Sequence, residues 1–185
     1  MNTIILTSNL GLYLSFHHFF YRVFPTRYKH KSLFTETYKQ RFAVCKKNII
    51  YSLSSFNITI AGLLLFKYNI NSSYFQSFYP QFLCIQGIVS YLSDSKYIDI
   101  YHWSHHYDIT FAQYNYFLMW YIAFKHYKLN KIMKIGLLST FACKQLSSYY
   151  SKKNINLYMF YHTLWHTVSP GISIYAINYA IPNLL

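Results

Sequence analysis

Five long runs without a single Lys, Arg, Asp or Glu constrain this chain more than any other feature. They cover residues 3–21, 48–66, 68–93, 109–124 and 154–185. A bilayer core about 30 Å thick takes about 20 helical residues. A water-facing helix of that length needs charged or polar positions recurring every 3.6 residues, and these runs lack the charges. The expectation is an all-α, polytopic transmembrane helical bundle of about six spans (five to seven) in a single domain over residues 1–185. The spans fall at about 4–23, 48–66, 74–93, 107–125, 132–150 and 156–180. The fifth is the weakest, because Lys134 and Lys144 interrupt it. Mean hydropathy is only +0.11, pulled down by 22 tyrosines, so distribution along the chain is the better guide than the average.

The charges lie between these runs and are one-sided, 17 Lys and Arg against 4 Asp and Glu. The connection 24–47 carries seven of the basic residues: Arg27, Lys29, Lys31, Lys39, Arg41, Lys46 and Lys47. By the positive-inside rule this basic loop faces the cytoplasm, where it meets anionic lipid headgroups. Positive charge confined to membrane-flanking loops argues against nucleic acid as a partner. Three cysteines, Cys45, Cys84 and Cys143, with no CxxC pair, give neither a disulfide framework nor a zinc ribbon.

The ionisable residues that do enter the apolar segments are concentrated. Asp94, Asp99 and Asp108 lie within fifteen residues, together with His102, His105 and His106. A second cluster is HTLWH, His162 to His166. Residues i and i+4 share a helix face, so both imidazoles of that pair can reach one ion. If the fifth span crosses, the end of span three and the starts of spans four and six lie at one membrane face. Ionisable groups within membrane segments are costly and mark sites with partners.

Imidazoles and carboxylates at one depth suit Zn²⁺ with a coordinated water, whose pKa falls toward about 7. Such a water attacks an amide or ester carbonyl, with a carboxylate as general base and a hydroxyl steadying the oxyanion. A site embedded between spans takes a membrane lipid as substrate, entering laterally.

This arrangement resembles the superfamily of seven-span metal hydrolases that includes alkaline ceramidases, the progestin/adiponectin receptors and the GPI-remodelling acyl hydrolases. Ser90, in QGIVSYLSD, matches the family serine near the end of one span. Asp108, in HWSHHYDITFA, matches the aspartate early in the next, and His162 and His166 match the last-span pair. The resemblance implies a Zn²⁺ cofactor, catalytic roles for Ser90 and Asp108, and metal ligation by His162 and His166. It covers roughly residues 75–181. Two features depart from the pattern. The residue one turn after Ser90 is Asp94, where the family has histidine, so the third ligand is either Asp94 itself or His105. Between Asp108 and the last pair there is room for one span rather than three.

Two other readings use the same residues. HWSHH and HTLWH look like the histidine boxes of membrane di-iron desaturases and hydroxylases, with His17, His18 and His126 as further ligands. Their order is inverted, however, and one box is missing. The third reading is a non-catalytic membrane scaffold or receptor-like protein whose histidines are structural. Trp103, Trp120 and Trp165 read as interfacial anchors.

Overall fold

The computed structural model describes residues 35–68, 74–125 and 130–180. The first expected span, 4–23, and residues 24–34 of the basic connection lie outside them, as do His17, His18 and His126. Among the described residues the chain is all-α, with no strand. The helices are α1 (Glu36–Lys47), α2 (Ile49–Ser54), α3 (Phe56–Tyr68), α4 (Tyr74–Tyr91), α5 (Ser104–Lys125), α6 (Asn130–Tyr150) and α7 (Ile155–Tyr175). Helices thus occupy the five described segments read as spans. By length and apolar composition, one helical stretch among the described residues is suited to cross a bilayer: Ile49–Lys67, of 19 residues.

The second half of the basic connection is not a loop. Residues 36–47 form α1, capped by Thr35, whose hydroxyl accepts from Tyr38 N–H at 3.2 Å. Helix α1 buries Phe42 and Cys45 against Tyr51, Ile98, Tyr158 and Met159, while Lys46 pairs with Asp99 at 2.6 Å. Four of the seven basic residues therefore lie in a helix, and three of them have partners: Lys46 is paired with Asp99, Lys39 with Glu36, and Arg41 donates to the Lys152 carbonyl at 2.7 Å.

Two glycines allow a close approach of α3 and α4. A Cβ on Gly62 would lie 2.6 Å from the Pro80 carbonyl oxygen, and one on Gly87 would lie 2.6 Å from the Thr59 backbone nitrogen. Only hydrogen at those positions lets α3 and α4 come this near. The contact carries Ser54 and Ser55, at the α2–α3 junction, into the centre of the bundle.

Helix α4 does not stop at Tyr91. It widens into a π turn over Leu92–Lys96, in which Tyr97 N–H donates to the Leu92 carbonyl at 2.9 Å, an i→i+5 bond. The extra residue per turn rotates Ser93, Asp94 and Ser95 inward, and all three are buried. The main apolar core lies toward the other end of the bundle, around Leu65, Phe82, Phe111, Met133 and Ile177.

Candidate metal centre

The π turn and α7 meet at a cluster of buried polar groups. Asp94 Oδ2 accepts from His162 Nε2 at 2.9 Å and lies 3.4 Å from His166 Nε2. The HTLWH spacing puts the two imidazoles on one face of α7, ring centres 4.5 Å apart. One donor atom from each of Asp94, His162 and His166 lies within 4.8 Å of the other two.

Hydroxyls behind the rings fix which nitrogen points inward. Ser147 Oγ, on α6, lies 3.2 Å from His162 Nδ1. Ser54 Oγ and Ser55 Oγ lie 3.1 and 3.4 Å from His166 Nδ1. With Nδ1 held by an outer partner, Nε2 is the nitrogen turned to the centre, the arrangement that orients metal-binding histidines. The Ser54 hydroxyl can also donate to the Tyr51 carbonyl, at 2.7 Å, which leaves its oxygen to accept from an Nδ1–H.

These residues fit a divalent ion by their chemistry. Three donors, two imidazole nitrogens and one carboxylate oxygen, converge with their outer contacts in place, a set that would hold a divalent ion through the protein. Ser90 Oγ stands beside these donors, 3.2 Å from Asp94 Oδ2 and 3.4 Å from His166 Nε2. Asp108 lines the cavity beside Asp94 and His162, and its buried Oδ1 has no hydrogen-bond donor among the described residues. Ser90, Asp94, Asp108, His162 and His166 are thus gathered, though they are spread over 77 positions of the sequence.

His105 is not brought to the centre. Its Nε2 lies 2.9 Å from both the Tyr97 and the Ile100 carbonyls. Carbonyls only accept, so Nε2 carries the proton, and Nδ1 accepts from Ser93 Oγ at 2.9 Å. The physical reason is the start of α5 at Ser104, which points His105 back into the preceding turn. Of the two candidates for the third ligand, the structure places Asp94 at the centre and makes His105 a lock on the turn.

The rest of HWSHH is similarly occupied with local contacts. His102 stacks on Tyr97 at 3.8 Å and lies 2.9 Å from Ser104 Oγ. Burial, with the positive field of Lys96, holds His102 below its ordinary pKa. His106 meets the Tyr101 hydroxyl at 3.4 Å. Among the described residues these three histidines join no metal-binding group. Cys45, outside the expected spans, has its thiol pushed up to about 12, first by burial and then by the field of Asp94.

Sequence reasoning did not anticipate several residues around the centre. Lys144, read as a blemish on the fifth span, has its Nζ 4.2 Å from the Trp165 ring centre. Trp165 itself is buried beside His166 rather than placed as an anchor, whereas Trp103 is exposed. The serines Ser54, Ser55 and Ser147 gave no signal, since a serine in an apolar run has no distinguishing pattern. Compared with protein-family models, curated proteins and solved structures, the chain matches none.

Proposed function

We propose that this chain is a multi-span membrane protein that uses a divalent ion, zinc by the donor set, to hydrolyse an amide or ester bond in a lipid. The observation carrying this reading is the convergence of Asp94 Oδ2 with the Nε2 atoms of His162 and His166, flanked by Ser90 and Asp108. The resemblance to alkaline ceramidases and their relatives points the same way, with Asp94 standing where that family has histidine.

The membrane part of the reading is supported by an inverted distribution of polarity. Large apolar side chains face outward on several helices: Ile50 is 76% exposed, Phe124 69%, Ile132 60% and Phe160 58%. Inside lie Gln86, Ser90, Asn115, Thr140, Ser147 and Ser173, all buried. Water would penalise the first set, and lipid the second if it faced outward.

A divalent ion held by this donor set polarises a carbonyl and acidifies water at neutral pH. The chain's own residues then have separable tasks. His162 and His166 are held by Ser147, Ser54 and Ser55, so the geometry costs no reorganisation. Ser90 Oγ is a donor within reach of charge building on a carbonyl oxygen. Asp108 Oδ1, without a donor among the described residues, takes a proton from water and returns it to the leaving group.

Turnover of acyl-amide and acyl-ester lipids by detergent-purified protein tests the reading. Activity should vanish on chelation and return with zinc, and Ser90→Ala should cost about 10²–10³-fold. Turnover unaffected by His162→Ala, or absent from every lipid class with zinc bound, refutes it.

A further inference from the structure

Two cavities approach the metal centre from different sides. The first, about 440 Å³, holds Asp94, Asp108 and His162 at its buried end. The second, about 330 Å³, is lined by His166 and Trp165 with Ile58, Ala112, Phe117 and Phe141. Asp108, Ile109, Lys144 and Ser148 line both, so the two share a waist at the centre.

Their chemistry differs in kind. At the outer end of the first cavity stand Arg41 and the exposed Lys152, with the hydroxyls of Thr37 and Ser151. Among the described residues the acids in its lining are Asp94 and Asp108, both buried at the other end. Arg41 is held by the bond from its Nη1 to the Lys152 carbonyl, and a guanidinium has further N–H donors with which to meet an anionic group. Phe117 and Phe141, which line the second cavity, are 50% and 47% exposed, so this cavity reaches the apolar outer face of the bundle.

We infer that the ligand of this site is a phosphate-headed amphiphile, its anionic head held by Arg41 and Lys152 in the first cavity and its acyl chain lying in the second. The inference rests on the hydrolase reading in setting the ligand's carbonyl at the waist, between Lys144 and the metal centre. The head group and the chain are recognised independently of any reaction there. Basic residues at a membrane surface attract anionic lipid in any case, but Arg41 and Lys152 belong to one cavity with the metal group at its end.

Equilibrium binding to the full chain in an uncharged detergent tests this. The probes are lysophosphatidic acid, the monoacylglycerol of the same chain length, and glycerol phosphate. Lysophosphatidic acid should bind about tenfold or more tightly than either of the others, since two charge-assisted contacts and chain burial each contribute. Lys152→Gln, an exposed change, should narrow its advantage over the monoacylglycerol. Adding Arg41→Gln should abolish that advantage without weakening the monoacylglycerol. Lys39→Gln, on α1 but outside the cavity, should change nothing. Equal binding of the two lipids overturns the inference, as does glycerol phosphate matching lysophosphatidic acid, or a preference that survives both substitutions. Binding is read without turnover, so a head-group preference in a protein that hydrolyses nothing would sink the hydrolase alone. Hydrolysis without that preference would sink the amphiphile assignment alone.

Discussion

Alanine at Gly87 should damage the metal centre from the far side of a helix. The new Cβ would lie 2.2 Å from Thr59 Oγ1 and 2.6 Å from the Thr59 backbone nitrogen. The hydroxyl can rotate away, but the backbone cannot. Ordinary contact begins near 3.4 Å, so α3 and α4 must part by roughly 0.8 Å, an overpacking that costs about 1–3 kcal/mol. For a domain of this size that lowers Tm by about 2–12 °C. The same Cβ would stand 3.1 Å from the Ser55 carbonyl, and Ser54 and Ser55 hold His166. Parting the helices loosens that support and should weaken metal affinity about 10–100-fold. Gly171→Ala is the matched control: its Cβ meets nothing within 4 Å, and helix propensity favours alanine there by about 1 kcal/mol. Thermal unfolding of the purified protein, with and without metal, measures both. A Gly87→Ala protein as stable as wild type with unchanged metal affinity, or a Gly171→Ala protein falling equally far, would refute the packing argument.

Further outcomes follow from the same geometry. Ser147→Ala should lower metal affinity about 10–100-fold by freeing His162 Nδ1, while Ser139→Ala, exposed on the same helix, should not; metal titration of each variant decides. His105→Ala should cost about 1–3 kcal/mol in unfolding free energy, since the Tyr97 and Ile100 carbonyls lose their donor. Its metal content should stay intact, and loss of metal would restore His105 as a ligand. Cys45, its thiol pushed up to about 12, should resist iodoacetamide at pH 8 in the folded protein and react on denaturation.

How much of this was legible in the sequence depends on whether the signal was local. The uncharged runs mark α2 to α5 and α7, because an absence of charge over about twenty residues is written residue by residue, whereas α6, with Lys131, Lys134 and Lys144, lies in none of them. His162 and His166 were legible for the same reason, since i and i+4 fixes a shared face. Asp94 was legible as a departure in the family-like pattern, but choosing between it and His105 needed the π turn at Leu92–Lys96. One extra residue in that turn, invisible to periodicity, decides which way the carboxylate points. The basic stretch around Arg41 read as a loop because its polar side chains hid a short helix that buries only Phe42 and Cys45. Ser54, Ser55 and Ser147 were not legible at all. Their significance comes from long-range packing, 112, 111 and 15 residues away from the histidines they hold.

The most direct test of the central claim is elemental analysis of the detergent-purified chain, wild type beside His162→Ala plus His166→Ala, with folding checked by circular dichroism. One zinc per wild-type chain and none in the folded double variant is the predicted result. Two irons per chain, no metal in either protein, or zinc retained after both imidazoles are removed would contradict it.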